Sequence, residues 1–185
     1  MDRIVIIDDE PLILKALTRL LTRAPCLHDG HLYRLEIVAF SDPVKALNYI
    51  EEHSVSIILS DYRMPVMDGV SLLTECKRKQ PQAIRMIISG YADLNGLVEA
   101  INRANIFRFI SKPWNDYELI ASIGMALRQR QLEIENQLLA DQARLHQGDI
   151  TEEEIALKNL ESLSPGITSV RWGPDGSVII EDDEV

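Results

Sequence analysis

The sequence predicts an α/β fold: a doubly wound five-stranded parallel sheet, followed by an extended last helix and a small C-terminal helix and β-hairpin. Two observations predict the sheet. Short apolar runs rich in β-branched and aromatic residues recur five times, and segments with helical spacing separate them. Strict alternation of strands and helices is typical of a parallel sheet covered on both faces, whose ligands bind beyond the carboxyl ends of the strands.

The predicted strands are residues 4–7, 35–40, 55–59, 86–88 and 107–110. Apolar residues at helical spacing follow each of the first four, namely Leu14, Leu17, Leu20 and Leu21; Val44, Leu47 and Ile50; Val70, Leu72, Leu73 and Cys76; and Leu97, Val98 and Ile101. Residues 24–33 break this periodicity. They predict a surface loop of unknown purpose between the first helix and the second strand.

The chain divides into three predicted parts, residues 1–125, 126–148 and 149–185. The first is the sheet domain, and the second continues its last helix, which Pro113 and Asp116 open and Gly148 ends. Polar residues interrupt the apolar stripe of this extension, so a coiled coil and a solvated helix both remain open. The third part begins with a capping box at Thr151 and a helix to residue 163, and a hairpin is expected over 167–180.

Charge is unevenly distributed along the chain. The formal net charge is −10, and residues 150–185 carry nine acids and two bases, so this tail contributes −7. Such a chain lacks the basic surface by which proteins bind nucleic acid. No apolar run is long enough to span a membrane and no signal peptide opens the chain, so we expect a cytoplasmic protein with reduced cysteines.

Polar side chains follow four of the five predicted strands. These residues are Asp8 and Asp9 after the first strand, Asp61 after the third, Ser89 after the fourth and Lys112 after the fifth. Because the carboxyl ends of parallel strands meet at one edge, we expect these groups to lie together. Three carboxylates there repel one another, which favours a bound Mg²⁺. A carboxylate nucleophile, a metal, a lysine and a hydroxyl together describe phosphoryl transfer to aspartate.

These motifs resemble those of the response-regulator receiver family, whose fold is flavodoxin-like. The resemblance covers about the first two thirds of the chain and rests on residues 6–11 (IIDDEP), 59–69 (LSDYRMPVMDG), 87–90 (IISG) and 109–113 (FISKP). Residues 107–114 (FRFISKPW) are also similar to receivers fused to cyclic-dinucleotide phosphodiesterases or sensor kinases. The tail has no counterpart in this resemblance.

The resemblance implies a role for each motif residue. Asp61 would accept a phosphoryl group from a histidine kinase or histidine phosphotransfer protein. Mg²⁺ would bind the side chains of Asp9 and Asp61 and the main-chain carbonyl of Arg63, with Asp8 acting through a coordinated water. Ser89 and Lys112 would bind the phosphoryl oxygens, Ser89 and Phe109 would be the switch residues, and the Lys112–Pro113 peptide would be cis.

The predicted function is therefore a two-component signalling switch and not an enzyme. Its output would be a contact with an unknown downstream protein or a homodimer through the long helix, without nucleic acid or membrane. Two alternatives stay open: a magnesium-dependent aspartyl-phosphate phosphatase or phosphotransferase, and a receiver-like scaffold that needs no phosphate. The thiol of Cys26 and the imidazoles of His28 and His31 have metal-like spacing, but without a second ligand group we prefer a polar loop.

Overall fold

The sheet domain is built from strands that the apolar runs form. The computed structural model describes residues 1–90 and 104–163. Its strands are β1 Asp2–Ile7, β2 Cys26–His28, β3 His31–Tyr33, β4 Leu35–Phe40, β5 Ile57–Asp61, β6 Ile84–Ser89 and β7 Arg108–Ser111. Its helices are α1 Pro11–Arg23, α2 Pro43–Glu52, α3 Gly69–Lys79, α4 Asp116–Gln147 and α5 Glu152–Leu163.

Five parallel strands form the main sheet in the order β4-β1-β5-β6-β7. The chain first moves outward from β1 to β4 and then reverses to β5, which makes the sheet doubly wound as predicted. The change in direction of the strand order leaves a crevice at the carboxyl ends of β1 and β5, where Asp8 and Asp61 lie. The fold class predicted from the alternating apolar runs is confirmed.

Two cores cover the two faces of the sheet. Ile4 and Ile6 of β1 pack with α1 and α4 on one face, whereas Val5 and Ile7 pack with α2 and α3 on the other. All four side chains are fully buried, because successive residues of a strand point to opposite faces. This burial on both sides explains why β1 reads as an unbroken apolar run.

Strand boundaries differ from the predicted ones by one or two residues. β5 starts at Ile57, two residues later than expected, and continues through Asp61, which pairs with Ile88 of β6. β6 likewise extends to Ser89. Asp61 and Ser89 are therefore the last residues of their strands and do not follow them. The polar side chains ended the apolar runs, but the main chain continued its parallel pairing past them.

The expectation of a plain surface loop over residues 24–33 is wrong. Cys26–His28 and His31–Tyr33 form a two-stranded antiparallel sheet around Asp29 and Gly30, whose φ angles of 47° and 77° suit a two-residue hairpin turn. This hairpin lies against α4. A Cβ atom added at Gly124 would be 2.8 Å from the Cβ of His28, so glycine permits the close contact. The Asp-Gly pair was the sequence signal for this turn.

Capping residues begin both the long helix and the short helix, and Gly148 ends the long helix as predicted. Asn115 accepts main-chain N–H bonds at the start of α4, and Gly148 ends it with φ 78°. Thr151 and Glu154 form a reciprocal capping box at the start of α5. Lys158 Nζ lies 3.2 Å from Asp141 Oδ1, so α5 folds back along α4.

Two predicted elements lie outside the described residues: the helix around residues 97–101 and the hairpin over 167–180. The coiled coil and the three-part division of the chain remain predictions. Within the described ranges, no helix combines the length and the apolar character needed to cross a membrane.

Candidate phosphoacceptor site

Three predicted site residues meet at the carboxyl edge of the sheet. Lys112 Nζ lies 2.7 Å from Asp8 Oδ2 and 2.5 Å from Asp61 Oδ1. The two carboxylates are almost completely buried, and the lysine side chain is 18% exposed. Glu10, which the sequence reasoning did not single out, lies 3.9 Å from the same ammonium group. Its position directly after the acidic pair was the available signal.

Main-chain hydrogen bonds orient these side chains. Asp8 Oδ1 accepts the N–H of Glu10 at 2.9 Å, and Asp61 Oδ2 accepts the N–H of Arg63 at 2.7 Å. The N–H of Lys112 donates to the carbonyl of Ser89 at 2.7 Å, and the Lys112–Pro113 peptide is cis, as predicted. Each carboxylate thus directs one oxygen at its own loop and the other at the lysine.

The pKa values reflect burial and mutual contact. Burial raises the pKa of Asp61, and the charge of Asp8 adds to this effect, although Lys112 opposes it. For Lys112, burial by itself would lower the pKa, but the hydrogen bonds to Asp61 and Asp8 outweigh it and the pKa is raised. The lysine is therefore an ammonium group at neutral pH, and its charge favours the ionised form of Asp61 against the effect of burial.

The loop after Asp61 returns tightly to the strand end. The N–H of Gly69 donates to the carbonyl of Tyr62, and the position of a Cβ at Gly69 would be 2.0 Å from the carbonyl oxygen of Asp61. Val66 has φ 73° inside a turn closed by the N–H of Met67 on the carbonyl of Pro65. A β-branched residue in this conformation is strained, so the surrounding loop holds it there.

The other predicted site residues lie around this cluster. Ser89 is buried at the end of β6 and faces Ser111 of β7 in register. Phe109 of β7 is partly buried against the core on the α2 and α3 side of the sheet. Asp9 is exposed. The structure therefore brings Asp8, Asp61 and Lys112 into contact and leaves Asp9 at the solvent edge of the site.

The donor groups at this edge fit a hard divalent cation. Among the described residues, no three His, Cys, Asp or Glu side chains come close enough together to enclose a metal ion. The edge nevertheless carries two buried carboxylates, with Asp9 and Glu10 adjacent, against the single charge of Lys112. This surplus of negative charge on oxygen donors suits Mg²⁺, which is commonly held by one or two carboxylates together with water and phosphate.

The two cysteines lie away from this chemistry as buried thiols. Burial, with a smaller effect of Asp2, raises the pKa of Cys26 to about 11, and burial raises that of Cys76 to about 12. Both groups therefore remain protonated at neutral pH, a state in which thiols are poor nucleophiles and poor metal ligands.

The chain is similar to known receivers in sequence and in structure. The model of the response regulator receiver domain family matches residues 4–124. The chain is 32% identical over 130 residues to the hydrogenase transcriptional regulatory protein HoxA of Cupriavidus necator, covering 70% of this chain and 25% of that protein. It is 30% identical to the DNA-binding transcriptional regulator NtrC of Klebsiella pneumoniae, covering 66% of this chain and 24% of NtrC.

A solved structure agrees with these matches. The signal receiver domain of an HD domain-containing protein from Pseudomonas fluorescens Pf-5 superimposes with a TM-score of 0.63 at 32% identity, covering 72% of this chain and 92% of that one. The chain spans about a quarter of the length of the curated relatives named above. Because the family model matches 121 of the 185 residues, this chain belongs to the response-regulator receiver domain family.

Proposed function

We propose that the protein is a phosphorylated signalling switch in which Asp61 accepts a phosphoryl group from a histidine kinase or a histidine phosphotransfer protein. The observation that carries this proposal is the buried contact of Lys112 with Asp61 and Asp8 at the strand-reversal point. A buried cluster of this kind is unfavourable for stability when it has no chemical task, because each charge loses its hydration. Its position at the ligand-binding edge of the sheet favours a chemical role.

The proposed reaction uses one oxygen of Asp61 as the nucleophile. This oxygen attacks the phosphorus of the donor phosphohistidine, the P–N bond breaks, and its electron pair returns to the imidazole ring. Lys112 would then pair with a phosphoryl oxygen in place of the Asp61 oxygen, and the Ser89 hydroxyl would donate a hydrogen bond to another. Positioning and charge neutralisation account for most catalysis of phosphoryl transfer, so few further groups are required.

Mg²⁺ fits this proposal as the second source of positive charge. When bound, it would neutralise the phosphoryl oxygens and the carboxylates at the same edge. Asp9 and Asp61 with the main-chain carbonyl of Arg63 would hold it, and Asp8 would act through a coordinated water. Lys112 supplies one positive charge against the two buried carboxylates that it contacts, so a divalent cation would complete the neutralisation of the site.

Output through a protein contact is the second part of the proposal. Phosphorylation adds about two negative charges at the sheet edge. Ser89 ends β6, and Phe109 lies on the neighbouring strand β7 opposite Ile87, two residues before Ser89, so a shift at the serine would reach the aromatic ring through the paired strands. The downstream surface would be the exposed side of β7 and the long helix, contacting another protein or a second copy of this chain.

The named relatives favour a second candidate for the output. HoxA and NtrC are transcriptional regulators, and NtrC is described as DNA-binding, although the chain matches only about a quarter of each. The formal net charge of −10 on this chain argues against DNA contact by its own surface. Fluorescence anisotropy with labelled duplex DNA at low and moderate salt would separate the two candidates, since salt-sensitive binding would support the transcriptional one.

The experiment that tests the proposed function is phosphorylation by a small donor. Purified protein is incubated with Mg²⁺ and acetyl phosphate, and its intact mass is measured beside that of Asp61→Asn. We expect one added phosphoryl group in the wild type and none in the variant. In-line light scattering on the same samples tests whether phosphorylation changes the oligomeric state. Turnover of a generic phosphate ester that Asp61→Asn abolishes would instead support the phosphatase alternative.

A further inference from the structure

A groove between α1 and the edge strand β4 has an unusual charge for this chain. It measures about 460 Å³ and is lined by Leu14, Lys15, Thr18, Arg19, Thr22, Arg23 and Ala39. Three of these residues are cations and none is an acid, whereas the whole chain has 29 acids and 19 bases. β4 and β7 are the two edge strands of the main sheet, so the groove lies at the edge opposite β7.

The three cations form an exposed row along one helix. Lys15, Arg19 and Arg23 are spaced four residues apart, so they lie on one face of α1. No described residue forms an ion pair with any of the three. Like charges at this spacing destabilise a helix, so an acidic ligand along the row would relieve a repulsion that the isolated domain retains.

The edge strand gives the groove a second means of binding. Within the described residues β4 pairs only with β1, so its outer edge offers main-chain N–H and C=O groups to an added strand. Ala39 and Leu14 provide a small apolar floor beside this edge. An extended segment could therefore pair with β4 and direct acidic side chains at the row on α1.

The spacing of acids along an added strand matches the spacing of the cations along α1. Four residues of an α-helix rise about 6 Å, and two residues of a strand advance about 6.6 Å. Acids at alternate positions of a strand therefore keep step with cations placed every four residues on a helix. A strand with four acids in succession directs two of them toward α1 whichever side faces the helix, so two of the three cations would be paired.

We propose that the acidic C-terminal segment of this chain, residues 177–185, binds the groove between α1 and β4. This segment has the sequence SVIIEDDEV, in which a short β-branched run precedes four consecutive acids. The described residues end at Leu163, and α5 lines a cleft with Ser54 and Val55 at the end of the sheet opposite the phosphoacceptor site. The 13 residues between Leu163 and residue 177 reach up to about 45 Å when extended, enough to cross a domain of this size.

Zero-length cross-linking of the full chain tests the contact. A carbodiimide activates a carboxylate, and a lysine amine within contact distance displaces the urea to form an amide. We expect peptide mass spectrometry to find Lys15 joined to an acid among residues 181–184. Lys45, an exposed lysine on α2, is the matched control and should give no such product. Absence of the Lys15 product, or equal labelling of Lys45, overturns the proposal.

The origin of the bound segment is tested in the same experiment. Equal amounts of ¹⁴N- and ¹⁵N-labelled protein are mixed before cross-linking. Products of a single isotope show binding within one chain, as proposed. Products that combine both isotopes in the statistical ratio show that the segment belongs to a second copy, and they overturn binding within the chain.

Hydrogen exchange provides a readout that does not depend on the cross-linker. Neutralising the segment as E181Q/D182N/D183N/E184Q should speed amide exchange in Leu35–Phe40 about fivefold, the effect expected of two exposed ion pairs. Reversing the groove as R19E/R23E should have the same effect, and replacing all four acids with lysine in that background should restore protection. Exchange rates that stay at the wild-type value in both variants contradict the proposal.

Discussion

Gly69→Ala tests whether the loop after Asp61 fixes the position of the phosphoacceptor. A Cβ at residue 69 would lie 2.0 Å from the carbonyl oxygen of Asp61, 3.0 Å from its carbonyl carbon and 3.1 Å from Ser60 Oγ. Two of these contacts are with main chain, which cannot rotate away as a side chain can. The loop must therefore shift by about 1 Å, and overpacking of this kind costs about 3 kcal/mol.

The expected result is a loss of both stability and phosphoacceptance. For a chain of 185 residues, a loss of about 3 kcal/mol lowers the melting temperature by roughly 6–12 °C. A displacement of about 1 Å at the nucleophile slows phosphorylation by about a hundredfold. Urea denaturation followed by circular dichroism gives the free energy of unfolding, and the rate of mass increase with acetyl phosphate gives the second quantity.

Gly90→Ala is the matched control for this substitution. Gly90 also follows a strand at the site edge, but in the described parts of the chain no atom lies within 4 Å of the position of its Cβ. Its free energy of unfolding should therefore stay within about 0.5 kcal/mol of the wild type. A Gly69→Ala protein as stable as the Gly90→Ala protein, and phosphorylated at the wild-type rate, would show that the close contact does not hold the loop in place.

Three further predictions concern strain, charge and the added hairpin. Val66→Gly should raise the free energy of unfolding by about 1 kcal/mol, because residue 66 is 90% exposed and only its φ of 73° opposes the side chain; a loss of stability in urea denaturation would contradict this. Asp61→Asn should stabilise the protein at pH 7 but not at pH 3. Because the pKa of Asp61 is raised in the folded protein, this residue contributes most to stability below its ordinary pKa of 3.8. That contribution is lost as the pH rises through the folded pKa, and a denaturation series against pH measures the loss. Gly124→Ala should speed amide exchange in Cys26–Tyr33, because the new methyl group would lie 2.8 Å from the Cβ of His28; unchanged exchange would show that the hairpin does not depend on this contact.

Much of the fold could be predicted because its signals are local. Most of β1 and all of β5 and β6 are buried, so each strand contains a short apolar run that stands out from the helices between them. The start of α5 was equally readable, since a capping box needs only Thr151 and Glu154 at the right spacing. The doubly wound arrangement followed from right-handed crossovers and needed no knowledge of side-chain packing.

The hairpin over residues 26–33 was missed because its strands have only three residues each. Periodicity cannot identify so short a strand, and the Asp29-Gly30 pair was the single local sign of the turn. What stabilises the hairpin is its contact with Gly124 in α4, about a hundred residues away in sequence. Such a contact leaves no pattern in either segment by itself.

The composition of the site could be predicted more fully than its geometry. The strand-end rule gathered Asp8, Asp61 and Lys112 correctly, and the structure places them in direct contact. The approach of Glu10 to the same lysine depends on the turn after Asp8. A hydrogen bond from the main-chain N–H of Glu10 to Asp8 fixes this turn, so the position of Glu10 beside the acidic pair was only a weak indication. The requirement for glycine at residue 69 likewise arises from a contact with Asp61 across the loop.

Chemical trapping of the phosphorylated residue decides whether Asp61 is the acceptor. Protein phosphorylated with acetyl phosphate and Mg²⁺ is reduced with borohydride, which converts an acyl phosphate to an alcohol, and the modified residue is identified by peptide mass spectrometry. We expect modification of Asp61 alone, abolished by Asp61→Asn and strongly slowed by Lys112→Met. Modification of Asp8 or Asp9, or no modification in wild-type protein under conditions that trap short-lived acyl phosphates, would contradict the assignment of Asp61.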